Sequence, residues 1–326
     1  MFYFLSVLTV LAVLYLMLLV ALAIAHHKIF GKRFTPDPNI INYNEKEFGC
    51  FREEVNFKIK KYNIKGAFIT PETKYDENKI IVFCHGLDSS KESYMQDIST
   101  IASSGFQVFC FDYIGVYESE GKRTGGFANG LRCVDYAIKF LHNKYPNKEI
   151  YVMGHSWGGF TSINSLKYNK YVKKVCAISP FISINDIFYS LAPVSLKLFM
   201  INMEIIEGLK YGKYAFANSI NTLKKYDGKA LIIHSKDDPL VKYNDSTKIM
   251  EEKLKDKDNI KFIIVDGKKH NPHYSDAAVL KLNELYAKLP TLNKEEWEAY
   301  AKTLNFHELG ELDKNIMNQI VEFFKN

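Results

Sequence analysis

The first 25 positions, Met1 to Ala25, form an apolar run without a charged side chain. Wound as a helix, such a run covers roughly 37 Å, enough to cross a bilayer core with some tilt. It has no polar face, which argues against a core helix of a soluble body. Ala21-Leu22-Ala23 and Ala23-Ile24-Ala25 resemble the small-residue sites where a signal peptide is cut. A basic segment ahead of the run is missing, however, and the run is long for a signal sequence. The expectation is a transmembrane anchor over residues 1–25. Lys28, Lys32 and Arg33 follow it, with His26 and His27 beside them. The positive-inside rule then puts the rest of the chain in the cytoplasm. Residues 26–50 read as a juxtamembrane linker, stiffened by Thr35-Pro36-Asp37-Pro38.

Beyond residue 50 the pattern changes to short segments. Glu54–Lys60 alternates with period two and Ile64–Thr70 is a second short run, which together predict an antiparallel hairpin. Six nearly continuous apolar runs follow: Ile80–Cys84, Phe106–Phe111, Glu149–Met153, Val172–Ile178, Ala230–Ile233 and Ile260–Val265. Runs of this kind suit strands buried on both faces of a mostly parallel sheet. Amphipathic stretches lie between most of them, near Tyr94–Ser103, Gly130–Asn143, Gly158–Tyr168 and Ser246–Lys255. Alternating strand and helix predicts an α/β fold with an open, doubly wound sheet, in which ligands bind at the carboxyl ends of the strands. Residues 51–326 form this domain. The rhythm breaks between Pro180 and Lys229, where no strand is visible and Phe188–Met203 reads as helical. Residues 181–228 are expected to be a helical cap insertion, with a plain crossover helix and long loops as the alternative. A second insertion, Leu289–Leu304, precedes a final helix near Lys314–Phe324.

Composition narrows the function classes. The 326 residues carry 43 Lys+Arg against 37 Asp+Glu, and half of the excess sits in the three residues after the apolar run. The remaining basic residues are mixed with acidic ones, so no one-sided patch for nucleic acid is visible. Five cysteines without a C-x-x-C pair argue against a disulfide framework and against a zinc site. Cys84, Cys110 and Cys176 lie inside strand-like runs, where a free thiol behaves as a small hydrophobe. Neither metal nor cofactor is implied.

The strongest chemical signal is Gly154-His155-Ser156-Trp157-Gly158-Gly159, which follows an apolar strand and leads into a helix. G-x-S-x-G at a strand-to-helix turn is a nucleophile elbow: a tight turn, flanked by small residues, that lifts a serine hydroxyl above the sheet edge. The following helix directs its N-terminal dipole at the site, where it favours developing negative charge. From about Phe51 onward the sequence resembles the α/β-hydrolase superfamily, and within it the esterase, lysophospholipase and acyl-peptidase-like branches. The resemblance implies a Ser-His-acid triad, in the chain order nucleophile, acid, histidine.

The acid is sought after the strand Lys229–His234. Ser235-Lys236-Asp237-Asp238-Pro239-Leu240-Val241 resembles the superfamily pattern H-G-x-x-D-x-x-V, which aligns Asp238 as the acid with Asp237 as its rival. After the last strand, Asp266-Gly267-Lys268-Lys269-His270 aligns His270 as the base, with His273 as its rival. The resemblance puts the two oxyanion-hole amides at Trp157, directly after the serine, and at Leu87 in Cys84-His85-Gly86-Leu87. His85 and Gly86 would shape that loop, His155 fills the variable position of the elbow, and His234 simply ends a strand. Phe111–Gly121 resembles D-x-x-G-x-G-x-S-x-G but has Tyr117 at the second glycine; Asp112 and Ser119 read as loop-ordering residues.

The expected function is serine hydrolysis of carboxylic esters, with a lipid-like acyl substrate such as a monoacylglycerol or lysophospholipid suggested by the cap and the anchor. A peptidase or acyl-peptide hydrolase, a thioesterase, an acyl transferase and a non-catalytic binding protein on the same fold are the alternatives. The oligomeric state is not legible.

Overall fold

The computed structural model describes residues 2–326. Its first element, α1 (Phe2–Phe30), does not stop where the charges begin. Leu22, His26 and Phe30, one turn apart on one face, are buried, so tertiary packing continues the helix past the end of the apolar run. The segment expected to be a linker lies against the body. Phe34 bridges Val116, Arg33 donates to the Gly121 and Tyr117 carbonyls, and the Trp297 indole N–H donates to Asp37 at 2.5 Å.

Eight strands form one sheet: β1 (Cys50–Ile59), β2 (Tyr62–Pro71), β3 (Lys79–Cys84), β4 (Gln107–Phe111), β5 (Glu149–His155), β6 (Val172–Ile178), β7 (Lys229–Ser235) and β8 (Ile260–Val265). Their order is β1-β2-β4-β3-β5-β6-β7-β8. The β1–β2 and β2–β4 pairs are antiparallel and every other pair is parallel. The remaining helices are α2 (Met95–Ser103), α3 (Phe127–Lys144), α4 (Trp157–Ser165), α5 (Ile184–Leu191), α6 (Met203–Tyr211), α7 (Ser219–Lys224), α8 (Thr247–Leu254), α9 (Asp276–Lys288), α10 (Lys294–Ala301), α11 (Phe306–Leu309) and α12 (Lys314–Lys325).

Side-chain alternation along the central strands sends one core to each face. Ile80 and Val82 of β3 join Val134 and Ile138 of α3, Phe160 and Ile163 of α4 and Met250 of α8. Ile81 and Phe83, their immediate neighbours, join Ile98 and Ile101 of α2 and Ile316, Ile320 and Phe324 of α12. The central strands are buried on both faces, as a parallel sheet covered by helices requires.

The insertion between β6 and β7 is helical but broken. The single helix expected over Phe188–Met203 ends at Leu191, because Ala192 precedes a proline and is held extended (φ −72°, ψ 146°). A 3₁₀ turn over Val194–Asn202 and then α6 continue the cap.

The closing helix α12 is a structural lock. Phe324 is fully buried and stacks on Tyr151 of β5 with ring centroids 5.8 Å apart. Phe324→Ala is expected to cost about 3–5 kcal/mol of unfolding free energy, read from the urea midpoint of the purified protein.

Candidate active site

Ser156 stands between β5 and α4 in a backbone conformation that L-residues avoid, φ 58° and ψ −117°. Neighbours enforce it. The Ser156 N–H donates to Ile178 O of β6 at 2.8 Å, and its carbonyl accepts from Phe160 N at 3.0 Å. A Cβ at Gly158 would lie 1.9 Å from Cys84 O, and one at Gly154 would lie 2.4 Å from Gly158 O. Only glycine allows α4 to sit this close to β3 and β5, which is the physical content of the G-x-S-x-G spacing.

The loop after β3 runs against the serine. A Cβ at Gly86 would come within 3.7 Å of Ser156 Cβ and within 2.7 Å of the Tyr94 hydroxyl. His85 fixes that loop. The Tyr113 amide donates to His85 Nε2 at 3.2 Å, so the proton is on Nδ1, which donates to Gly86 O at 2.8 Å. Burial pushes the His85 imidazolium down to a pKa of about 4, so the ring is neutral at ordinary pH. Leu87 follows directly. Its amide donates to no protein acceptor among the described residues, and Trp157 as the first residue of α4 has an amide with no intrahelical acceptor. The Trp157 side chain points away into the core, where its indole N–H donates to Phe127 O at 3.0 Å.

Asp238 and His270 come from the loops after β7 and β8. His270 Nδ1 lies 2.7 Å from Asp238 Oδ2. Asp238 Oδ1 accepts from the Leu240 and Val241 amides at 2.8 and 2.9 Å. Burial alone would raise the Asp238 carboxyl, but hydrogen bonds from His234 and His270 outweigh it and hold the group well below the usual carboxylate range. The rival Asp237 is engaged elsewhere. It accepts from Ser235 Oγ at 2.5 Å and from the Lys269 amide at 3.1 Å, and pairs with Lys269 Nζ. The rival His273 is fully buried, with Nε2 at 3.0 Å from Asp97 Oδ1 in a contact too bent for a hydrogen bond.

Four residues given minor roles in the sequence reading, His155, His234, Asp112 and Ser119, have defined contacts here, and Tyr94 and Ser179 join them. His234 is buried behind the acid: Thr247 Oγ1 lies 2.6 Å from its Nδ1, and its Nε2–H faces Val241 O at 2.8 Å and Asp238 Oδ2 at 3.2 Å. His155 donates from Nε2 to the His270 carbonyl at 2.8 Å and accepts at Nδ1 from the Tyr94 hydroxyl at 2.8 Å. Ser179 Oγ donates to the same His270 carbonyl at 3.1 Å. The elbow motif marks His155 only as a variable residue, and nothing local in the sequence signals Tyr94, Ser179 or the second face of His234. Asp112 and Ser119 order the loop after β4: Lys91 bonds Asp112 through both its amide and Nζ, and Ser119 Oγ donates to Asp112 O at 2.6 Å. Tyr117, which replaces a glycine of the pattern, keeps a left-handed φ of 38°. Phe34 O holds the Tyr117 amide at 2.9 Å, so the chain leaving α1 stabilises a conformation that glycine would otherwise supply. Among the described residues, no three His, Cys, Asp or Glu side chains gather as a metal site.

Residues 75–211 match the family model described as serine aminopeptidase, S33. The fold also overlays on the Pyrococcus furiosus esterase Pf2001 with a TM-score of 0.57 and 20% identity, over 80% of this chain and 97% of that one. The chain has the α/β-hydrolase fold, and over residues 75–211 it is similar to a family of serine hydrolases. The chain is similar in fold to Pyrococcus horikoshii acylaminoacyl peptidase as well (TM-score 0.53, 18% identity), over 68% of this chain but only 38% of that longer one. In sequence it is 25% identical over 228 residues to uncharacterized protein R595 of Acanthamoeba polyphaga mimivirus, which is 65% of this chain and 74% of that protein.

Two outcomes are expected. A fluorescent fluorophosphonate should label the wild-type protein and leave Ser156→Ala unlabelled on a gel; equal labelling of both would place the reactive serine elsewhere. The second concerns pH. His85 has a folded pKa of about 4 against an ordinary 6.5, so between these values the unfolded chain binds the extra proton and stability falls as pH falls. His155, also pushed down first by burial and then by the neighbouring His270 and His273, acts in the same direction. Between pH 6.5 and 4 the unfolding free energy should drop by about 3 kcal/mol through His85, and His85→Asn should flatten that slope in urea titrations.

Proposed function

We propose that the protein is a serine hydrolase that cleaves carboxylic esters through Ser156, His270 and Asp238 by way of an acyl-enzyme. The observation that carries this reading is the 2.7 Å contact between His270 Nδ1 and Asp238 Oδ2, in a loop whose His270 carbonyl is bonded by His155, the residue preceding the strained serine. Asp238, ionised over the whole working range, keeps the proton of His270 on Nδ1 and leaves Nε2 free to accept one. His270 Nε2 takes the Ser156 proton as Oγ attacks the acyl carbon. The carbonyl oxygen becomes an oxyanion held by the Leu87 and Trp157 amides, aided by the N-terminal dipole of α4. His270 returns the proton to the departing alcohol. Water then gives a proton to His270 as its oxygen bonds the acyl carbon, and His270 passes that proton to Ser156 Oγ as the acyl–Oγ bond breaks and the acid leaves.

The substrate in this reading is a lipid-like ester of the monoacylglycerol or lysophospholipid type, met at a membrane in which α1 is a single span with the catalytic body on the cytoplasmic side. Two features support it. Tyr3–Phe30 is long and apolar enough to cross a bilayer, with a mean hydropathy of 3.0 over its most apolar stretch. The cap carries a row of exposed apolar residues from Tyr189 to Leu209. The similar esterase is named for ester cleavage.

Amide cleavage is the second reading, favoured by the family description and by the similar acylaminoacyl peptidase. Turnover of p-nitrophenyl esters, lysophospholipids and aminoacyl amides by the full chain separates the two. Ester and lysolipid turnover that disappears in Ser156→Ala is expected. Turnover of amides alone would overturn the ester reading.

A further inference from the structure

The side of α1 that meets the cap is a built interface. The Tyr15 hydroxyl donates to Asn202 Oδ1 at 2.6 Å, Leu18 packs against the core, and Leu22, His26 and Phe30 are buried. His26 Nε2 lies 2.9 Å from Glu207 Oε1, and the fully buried Glu207 carboxylate also accepts from the Phe127 and Ala128 amides at the start of α3. Phe30 packs edge-on to Phe127 and Trp157. The cap therefore lies alongside α1 from Phe30 back to Tyr15.

This has a consequence for depth. The first charged side chain of α1 is Lys28, and the thirteen residues from there back to Tyr15 make about 20 Å of helix. A helix standing in water against the cap would carry polar residues on its outer face. Its outer face is instead Leu16, Met17, Val20 and Ile24, all exposed, as apolar as Leu8 and Leu11 farther up. The helix offers no change of character at Tyr15 where a membrane surface could fall; that change comes at Lys28, Lys32 and Arg33. With those cations at the interface, Asn202 and the cap segment around it stand beside α1 within the hydrocarbon layer. The cap surface fits that environment: Val194 is 87% exposed, Leu198 73% and Leu209 86%, and Leu191, Ile201 and Ile205 are exposed as well. So many exposed apolar side chains within one short segment, interrupted by Ser195, Lys197 and Glu204, are out of place in water.

We propose that residues 191–209 of the cap insert into the leaflet on the Lys28 side of the bilayer, continuous with α1, so that acyl substrates reach Ser156 laterally from the membrane. The proposal rests on α1 spanning the bilayer, and it adds that the cap itself is a membrane-embedded element. α1 and the cap form one lipid-facing unit whose inner side carries the Glu207 link to α3 and the Phe30 contact with Trp157. Embedding the cap in this way would sort substrates by membrane partitioning before the pocket acts on them.

The test uses the full chain in phosphatidylcholine nanodiscs, with a nitroxide on one introduced cysteine at a time: Leu198→Cys, Leu209→Cys, Leu11→Cys in α1 and Leu280→Cys on the exposed side of α9. The five native cysteines are buried, so the label goes to the introduced one and the wild type serves as blank. Collision with oxygen, which concentrates in lipid, is compared with collision with a water-soluble nickel chelate. Oxygen-to-nickel ratios at 198 and 209 are expected to match that at 11 and to exceed that at 280 several-fold. Ratios at 198 and 209 equal to that at 280, with 11 still lipid-like, overturn the proposal and leave the span standing. A water-like ratio at 11 as well overturns both. Labelling by fluorophosphonate in each variant shows that the site is folded.

Discussion

The close approach of α4 to β3 and β5 is the constraint on which the site depends. Two glycines permit it, since a methyl at Gly158 would lie 1.9 Å from Cys84 O. The same contact bends Ser156 into its strained backbone and presents the first amides of α4 beside the loop that carries Leu87. Strain of this kind persists only where surrounding structure over-determines it. Here that structure is the parallel sheet, whose β6 supplies the Ile178 carbonyl that anchors the Ser156 amide.

Around the serine, buried polar groups are arranged in pairs that fix loops rather than react. His85 staples the Gly86 turn, His155 and Ser179 hold the His270 carbonyl, and His234 backs Asp238. Each is buried, and each must be hydrogen-bonded, because an unsatisfied polar group in the interior costs about 1–3 kcal/mol. The loops that present Asp238 and His270 carry few apolar anchors of their own, so these bonds set their position.

The N-terminal helix contributes to the packing of the body. Its last turns complete the packing around Trp157 and supply His26 to the buried Glu207 carboxylate, while the chain just beyond it holds Tyr117 in a left-handed backbone. The cap, the helix and the turn that carries Ser156 and Trp157 are thus joined by direct contacts.

Much of this was legible along the chain. Apolar runs and their intervals gave a mostly parallel α/β sheet because a strand buried on both faces must be continuously apolar, and the hairpin at residues 50–71 declared itself by alternation. The elbow was legible because its chemistry needs small residues at fixed spacing. Other features depended on contacts between distant segments. The end of α1 at Phe30 follows from packing against the cap, and the break at Ala192 came from a proline whose local effect outweighed a helical pattern. Asp237 and Asp238 are neighbours that sequence spacing could only rank; the fold turns Asp238 toward His270 and His234 and leaves Asp237 with Lys269. His155, Ser179 and Tyr94 act on groups far away in the sequence, and hydrogen bonds of that kind leave no periodicity to read. Local pattern determined which elements form, because periodicity and glycine spacing are local properties; the sheet order decided which loops meet, because that depends on where distant strands pair.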